Sequence, residues 1–185
     1  MQEQGAVIVV GLTGLARSGK DTAASVLVEE FGFRRLAFAD ALKEGCAAML
    51  GLPLHRMYEG DRESILPEWG FSIRDFLQRM GTECVRTQFG ADFWIKAVCQ
   101  RIASKVEQGN LRFVISDARF DNEAQWVLSH ATSHVVRVVR PGIAKMDHAS
   151  ERGISDTLVT ATLGNTEGLD AFKDVVRHWA TRNGL

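Results

Sequence analysis

Short apolar runs alternate along the chain with segments in which apolar residues recur at helical spacing. The first run covers residues 7–12, is rich in β-branched residues and precedes a glycine-bounded loop, which is typical of a strand buried on both faces of a parallel sheet. Further apolar runs predict four more strands, at residues 33–39, 111–117, 134–141 and 158–163. The pattern indicates that strands and helices alternate over the whole length of the chain.

The segments between these runs predict helices. The first covers residues 20–30, with Gly32 as its C-terminal cap, and the second is expected at 40–50 with Asp40 as its N-cap. Further helices are expected at 73–89, 92–107, 120–130 and 167–182. Residues 52–70 hold two of the three prolines and predict an irregular excursion. The expected fold is α/β in three layers, a five-stranded parallel sheet flanked by helices.

A phosphate-binding motif follows the first predicted strand. Gly14, Gly19 and Lys20 satisfy the pattern G-x-x-x-x-G-K in the stretch GLARSGKDT, between a predicted strand and a predicted helix. Backbone N–H groups of such a loop point at phosphates, and the start of the helix adds a partial positive charge. The loop is therefore predicted to bind the phosphates of a nucleotide. Its candidate ligand-binding residues are Gly14, Arg17, Ser18, Gly19, Lys20, Asp21 and Thr22.

Asp21 stands where this pattern has a Ser or Thr whose hydroxyl holds Mg²⁺. Thr22 moves the hydroxyl one position along the chain. Either Asp21 or Thr22 is expected to reach the metal, directly or through water, because Mg²⁺ keeps several of its waters. Whether Asp21 contacts the metal's hydration shell or only caps its helix stays open.

A second group of candidates combines a carboxylate with arginines. Asp117 directly follows the apolar residues of the strand predicted at 111–117, at the sheet edge where a carboxylate can hold Mg²⁺ or orient its waters; a turn cap is the alternative. Arg119 can direct its guanidinium at a phosphate, or lie in solvent as a surface residue. Arg17 and Arg74 add positive charge, which stabilises the transition state of phosphoryl transfer.

Composition narrows the class of protein. A chain of 185 residues fits one domain, and a formal charge of −1 gives no general attraction for nucleic acid or anionic lipid. Three cysteines without a C-x-x-C pair argue against a disulfide framework or a zinc site. No positive leader precedes the first apolar run, which is too short to span a bilayer. A cytoplasmic protein without a membrane or nucleic-acid partner is expected.

The chain resembles the bacteriophage-type deoxynucleoside monophosphate kinases, which belong to the P-loop kinases with an adenylate-kinase-like core. The segments that carry the resemblance extend from Gly14 to Ile154: GLARSGKDTAA, FADALKE, SIRDFLQRMGTECVR, GADFWIKAV, VISDARFDNEA and DHASERGI. The helical stretch LQRMGTE, followed by DFW, is the strongest evidence for the resemblance. The resemblance implies that ATP donates its γ-phosphoryl group to a deoxynucleoside monophosphate (dNMP), with Mg²⁺ at the donor phosphates, and for a phage-encoded chain it implies the host cytoplasm.

The resemblance also implies how the chain is divided and which residues act. One domain, 1–185, would include a helical acceptor-binding insertion at about 40–108 and a short lid at about 141–152. Catalytic roles fall to Arg17, Lys20, Asp117 and Arg119, and Asp21, Thr22 and Asp117 are the metal candidates. The candidate acceptor residues are Lys43, Arg74, Gln78, Trp94, Arg119, His148 and Glu151. The expected partners are ATP and a dNMP, and a homodimer stays open.

Alternatives remain at both levels. Trp94 could be a core residue, Lys43 a solvated helix position, and the pair His148 and Glu151 a polar turn. A phosphomevalonate-kinase-like enzyme would share the GKD loop and the strand that ends in VISDAR. A regulatory module that binds ATP without turnover is the alternative outside the enzymes. A P-loop GTPase is disfavoured, because the sequence has no N-K-x-D motif.

Overall fold

The structure is a computed structural model, and it describes residues 6–143 and 153–185. The described chain divides into two compact units. Unit 1 comprises the chain up to Ala37 and from Gln100 onward, and unit 2 is Phe38–Cys99.

Unit 1 is built around a parallel sheet. Among the described residues it has five strands: β1 (Ile8–Thr13), β2 (Arg34–Leu36), β5 (Arg112–Ile115), β6 (Thr132–Val139) and β7 (Ala161–Gly164). Their order in the sheet is β2-β5-β1-β6-β7. In this register Gly11 lies opposite both Ile115 and Val135, so the carboxyl ends of the three central strands meet at one edge. The predicted five-stranded parallel sheet is confirmed.

Helices cover both faces of this sheet, because strand residues alternate between two apolar surfaces. The helices of unit 1 are α1 (Lys20–Phe31), the later part of α5 (Phe93–Glu107), α6 (Asp121–Leu128) and α7 (Leu169–Arg182). Val10 and Leu12 of β1 join the buried cluster formed with α1 and α7. Between them Gly11 faces the other way, and a Cβ added there would lie 3.0 Å from a methyl group of Val127 in α6. The predicted three-layer arrangement is therefore confirmed.

Unit 2 is mainly helical. Its elements are α2 (Asp40–Leu50), a 3-10 turn (Leu54–Met57), the hairpin β3 (Ile65–Leu66) and β4 (Phe71–Ser72), α3 (Ile73–Gln78), a π-helical stretch (Arg79–Arg86), α4 (Thr87–Phe89) and the start of α5. Its apolar centre holds Cys46, Met57 and Ile73, and burial raises the pKa of the Cys46 thiol to about 11. Phe71 and Phe76 stack nearby with ring centres 5.1 Å apart.

Two local predictions are corrected. Asp40 is not the N-cap of α2: Ala39 holds that position, and Asp40 is the first helical residue. Its carboxylate accepts a hydrogen bond from the Tyr58 hydroxyl at 2.8 Å, so it pairs with a side chain outside the helix. The excursion at 52–70 is also more ordered than expected, because it contains a 3-10 turn and the first strand of a hairpin.

The helical termini at Gly32 and Ser72 follow ordinary capping rules. Gly32 adopts φ 69° and its N–H donates to Leu27 O, which confirms the predicted C-terminal cap. The Ser72 side chain accepts from the N–H of Asp75 and so begins α3. Among the described helices, none combines the length and apolar character that a bilayer crossing requires.

Replacing Gly45 with alanine is expected to stabilise the protein by about 0.5–1 kcal/mol, because glycine in a helix interior loses more backbone entropy than alanine. Gly45 is exposed within α2, and a Cβ there would have no neighbour within 4 Å. Denaturant unfolding measures the change. Gly81→Ala is the contrasting variant: its Cβ would lie 2.6 Å from Leu42 Cδ2, so the Leu42 side chain must shift and a smaller gain than at Gly45 is expected. Equal effects of the two substitutions would contradict this reasoning.

Candidate active site

The loop after β1 has backbone geometry that only glycine accommodates at its two ends. Gly14 adopts φ 133° and Gly19 φ 113°. A Cβ on Gly14 would lie 2.2 Å from the carbonyl oxygen of Val138, and one on Gly19 would lie 2.6 Å from Asn165 Nδ2. Gly14 is therefore required both by its positive φ and by its contact with the backbone of β6, and Gly19 chiefly by its positive φ.

The middle of the loop is strained at Arg17 and holds a buried polar group at Ser18. Arg17 has φ 63°, the only positive value at a non-glycine position among the described residues. Such a conformation costs of order 1–3 kcal/mol and is concentrated at functional sites. The neighbouring Ser18 is 1% exposed, and its hydroxyl has no hydrogen-bond partner among the described residues. A buried hydroxyl without a partner suits a ligand that supplies an acceptor.

Lys20 begins α1 and reaches back over the loop. Its Nζ donates to the carbonyl oxygens of Gly14 at 2.8 Å and Leu15 at 2.7 Å. The N-cap residue Gly19 has no side chain to cap the helix, so the helix start presents its N–H groups and partial positive charge at the loop. Together these features provide a site for phosphate.

Two cavities of unit 1 flank this loop. The helix cavity, at the start of α1, has a volume of about 330 Å³. Its lining residues are Arg17, Gly19, Lys20, Asp21, Thr22, Arg140, Asn165, Thr166, Gly168 and Leu169. The edge cavity, at the carboxyl edge of the sheet, has a volume of about 360 Å³. Its lining residues are Thr13, Gly14, Leu15, Ser18, Ala118, Arg119, Arg137, Val138, Val139, Arg140, Gly153, Ile154 and Asp156.

The charges on the edge cavity favour an anion. Arg119, Arg137 and Arg140 line it, against the single carboxylate of Asp156 among the described lining residues. Arg140 lines both cavities and forms no ion pair with a described residue. A guanidinium in this position can pair with phosphate oxygens on either side of the loop.

The turn that carries Asp117 and Arg119 is held by the first turn of α6. Glu123 is 3% exposed, and its carboxylate accepts from the N–H of Arg119 at 2.8 Å and from that of Phe120 at 3.2 Å. Asp117 is half-buried two residues after the end of β5, and the N–H of Ala118 donates to Leu12 O at 3.0 Å. Asp117 and Arg119 therefore lie on a fixed turn beside the end of β1.

The metal candidates lie on the same edge, but they do not form a preassembled cage. Thr22 and Asp21 line the helix cavity, and Asp21 pairs with Arg35 of β2 at 3.6 Å. No group of three or more His, Cys, Asp or Glu residues that could hold a metal occurs within residues 6–143 and 153–185. One or two oxygen ligands suit Mg²⁺, which binds proteins through few side chains and keeps waters and phosphates as its other ligands.

The remaining predicted residues lie in unit 2 or outside the described chain. The Nζ of Lys43 lies 3.9 Å from the ring centre of Tyr58, and Arg74 Nη1 donates to Glu63 at 2.8 Å. Gln78 ends α3, half-buried. Trp94 is 8% exposed and donates to Gly81 O at 3.0 Å, so it also packs within the unit. His148 and Glu151, with most of the predicted lid, lie outside the described residues.

Sequence reasoning missed several residues of this site. Asn165 directly follows β7 and donates from Nδ2 to Ser18 O at 2.9 Å, which braces the phosphate loop. Arg137, within β6, lines the edge cavity. The available signal for Asn165 was its position just after a predicted strand, since parallel strands bring such residues to one edge. Arg137 lies inside the strand predicted at 134–141, so its position gave no such signal.

A phosphate loop at the carboxyl edge of a parallel sheet, with helices on both faces, defines the three-layer P-loop fold of nucleotide-binding proteins. The dephospho-CoA kinase from Campylobacter jejuni has a similar structure, with a TM-score of 0.51 over 94% of this chain and 96% of that chain. The two sequences are 12% identical, so the likeness concerns the fold.

Sequence comparison identifies the family. A family model described as deoxynucleotide monophosphate kinase matches residues 55–176, and the chain belongs to this family. A putative deoxynucleotide monophosphate kinase of Acanthamoeba polyphaga mimivirus is 31% identical over 159 residues, which cover 78% of this chain and 81% of that protein. The deoxynucleotide monophosphate kinase of Enterobacteria phage T4 is 28% identical over 92 residues, 49% of this chain and 37% of that protein. The predicted nucleotide kinase is thereby confirmed as the class of enzyme. The match to the family model begins after the phosphate loop, so the phosphate site of the loop and the family assignment rest on separate parts of the chain.

Proposed function

We propose that the chain transfers the γ-phosphoryl group of ATP to a deoxynucleoside monophosphate, giving ADP and a deoxynucleoside diphosphate. The observation that carries this proposal is the glycine-bounded loop, with Lys20 folded over it, between two cavities of about 330 and 360 Å³. The viral relatives named as deoxynucleotide monophosphate kinases support the acceptor class, and with it a place of action in the host cytoplasm.

The donor phosphates are assigned to the loop. Gly14 and Gly19 permit close approach of the backbone, and the Ser18 hydroxyl and the Lys20 ammonium supply side-chain donors. Arg17, in its strained conformation, lines the helix cavity and adds a positive charge there. These groups bind phosphate before and during transfer, and the charge that builds up on the transferring group strengthens the interaction.

The residues at the edge fit Mg²⁺, which neutralises charge on the donor phosphates when it is bound. We assign its protein contacts to Thr22, Asp21 and Asp117, in keeping with the small number of side chains that Mg²⁺ takes from proteins. Asp21 lines the helix cavity, but its side chain is largely in solvent and pairs with Arg35 at 3.6 Å. A water-mediated contact is therefore the role proposed for Asp21.

The acceptor is assigned to a second set of residues, and unit 2 is proposed as the acceptor-binding insertion of the single domain. An oxygen of the monophosphate forms the new bond to the γ-phosphorus, the bond from that phosphorus to the β–γ bridging oxygen breaks, and ADP leaves. Positively charged side chains orient the acceptor phosphate and stabilise the shared negative charge. The residues proposed for the acceptor are Lys43, Arg74, Gln78, Trp94, Arg119, His148 and Glu151.

A substrate panel tests the proposed function. The purified chain is incubated with ATP, Mg²⁺ and each common dNMP, NMP or phosphomevalonate in turn, and ADP release is measured. We expect ADP with at least one dNMP. Turnover with phosphomevalonate and with no dNMP would identify the related small-molecule kinase instead. Tight ATP binding without ADP release for any acceptor would identify a non-catalytic module.

Replacing Asp117 with asparagine is expected to lower turnover by about 10- to 100-fold, the usual effect of disturbing a metal's protein contacts. Asparagine keeps the shape of the side chain and removes its charge, so the fixed turn after β5 is retained. Steady-state kinetics at increasing Mg²⁺ concentration measure the effect, and excess Mg²⁺ should restore part of the rate. Asp174→Asn on α7 is the control. Unchanged kinetics of Asp117→Asn would contradict the metal assignment.

A further inference from the structure

Residues 154–156, here called the tethered segment, are bound to β6 by one arginine. Arg137 Nη2 donates to the carbonyl oxygen of Ile154 at 2.5 Å, and Nη1 forms a close ion pair with the carboxylate of Asp156. About a quarter of the Arg137 side chain is exposed, whereas that of Asp156 is largely in solvent. One guanidinium therefore holds both ends of the tethered segment with donors that face the protein.

The middle of the tethered segment is bound to a different element. Asp121, the first residue of α6, accepts from the N–H of Ser155 at 2.8 Å and from its hydroxyl at 2.5 Å. These hydrogen bonds to the ionised form lower the pKa of the Asp121 carboxyl. The tethered segment is thus fixed to β6 and α6 together, by side chains outside the phosphate loop.

This arrangement shapes the edge cavity. Ile154, Asp156 and Arg137 line the edge cavity. Ser18 of the phosphate loop and Arg119 line the same cavity. The first turn of α6 binds two walls of this cavity. Glu123 accepts a hydrogen bond from the backbone of Arg119, and Asp121 accepts one from the tethered segment. The distances between the walls of the edge cavity therefore depend on the same few hydrogen bonds.

We propose that Arg137 is a positioning residue for phosphoryl transfer, which sets the edge cavity by fixing the tethered segment to β6. The proposal rests on the proposed function. Arg137 directs its guanidinium at Ile154 and Asp156, so it acts through them rather than by touching substrate. Displacement of reacting groups by about 1 Å can lower a rate by about 100-fold, so a loosened wall is costly even where binding residues are intact.

Arg137→Met tests this role, because methionine keeps an apolar stem and removes both hydrogen bonds. We expect kcat to fall by about tenfold or more, with KM for ATP and for the dNMP changed by less than about threefold. Arg137→Lys, which keeps one charge, should recover part of kcat. Arg177→Met is the matched control: Arg177 pairs with Glu30 and Asp174 on the outside of unit 1 and lines neither cavity, so kcat should not change.

Two readouts separate positioning from a general loss of stability. Amide hydrogen exchange in the peptide that contains Ser155 should rise in Arg137→Met and stay unchanged in Arg177→Met. Asp121→Asn, which weakens the other attachment, should raise the same exchange and lower kcat in the same direction. Unchanged exchange in Arg137→Met, a kcat within about twofold of the wild type, or an equal loss in Arg177→Met overturns the inference.

A wild-type protein inactive towards every dNMP overturns the proposed function and this inference with it, whereas an active wild type with an equally active Arg137→Met overturns this inference alone.

Discussion

Lys20→Ala should lower kcat for phosphoryl transfer by about 100- to 1,000-fold, the range found when one preorganised donor to a developing charge is removed. In the structure Lys20 Nζ donates to Gly14 O and Leu15 O, at the loop to which the donor phosphates are assigned. Alanine removes the charge that meets the transferring group and also the two bonds that brace the loop. The effect is therefore expected in kcat and in ATP affinity together.

Coupled ADP-release kinetics and ATP-induced thermal stabilisation measure the two parts of this effect. Lys105→Ala, at the end of α5, removes a lysine that lines neither cavity and should leave both quantities unchanged. Circular dichroism should show that Lys20→Ala keeps the fold, because Lys20 is only half-buried. Activity of Lys20→Ala within a few-fold of the wild type would show that the loop does not hold the donor.

The sequence was sufficient for the fold because its signals are local. Buried β-branched runs predicted the five parallel strands, and a glycine after an apolar helix predicted the cap at Gly32. The error at Asp40 is of a different kind. Near a helix start, a carboxylate is favourable both at the N-cap and at the first helical position, so the sequence does not distinguish the two. In the structure Asp40 is the first helical residue, and its carboxylate accepts a hydrogen bond from Tyr58, which lies outside the helix.

The stretch Arg79–Arg86 shows a limit of periodicity. Its residues were correctly predicted as helical, but they form π-helix within the continuous helical run from Ile73 to Phe89. Apolar spacing does not distinguish i+4 from i+5 hydrogen bonding over two turns. π-Helical stretches are frequent at functional sites, so this one is consistent with the acceptor role proposed for unit 2.

The candidate site was predictable only where a motif is contiguous. The loop from Gly14 to Thr22 is recognised as a phosphate site from its own sequence, whereas Asn165 is hydrogen-bonded to Ser18, 147 positions away along the chain. Arg137 likewise becomes part of the site through the parallel register of β6 beside β1. Residues of this kind follow from the order of the strands in the sheet, which strand patterns alone do not specify.

Gly14→Ala is expected to destabilise the protein by about 3 kcal/mol, through backbone strain at positive φ and a clash in a packed region. The added Cβ would lie 2.2 Å from the carbonyl oxygen of Val138, which belongs to the backbone of β6 and cannot rotate away. For a chain of this size the melting temperature should fall by roughly 6–12 °C. Displacement of the loop should also weaken ATP binding by about tenfold or more.

Gly32→Ala separates the two causes, because Gly32 also has a positive φ, of 69°, but a Cβ there would meet nothing within 4 Å. It should cost about 1 kcal/mol, the penalty of the left-handed conformation alone, and leave ATP binding unchanged. Differential scanning calorimetry and ATP titration of both variants give the comparison. Equal melting temperatures for the two would mean that the loop yields at Gly14 without strain on β6. The larger loss of stability is expected at Gly14 because its Cβ would press on the backbone of β6. The same strand carries Arg137, which binds Ile154, so a shift of β6 would disturb both the phosphate loop and the wall of the edge cavity.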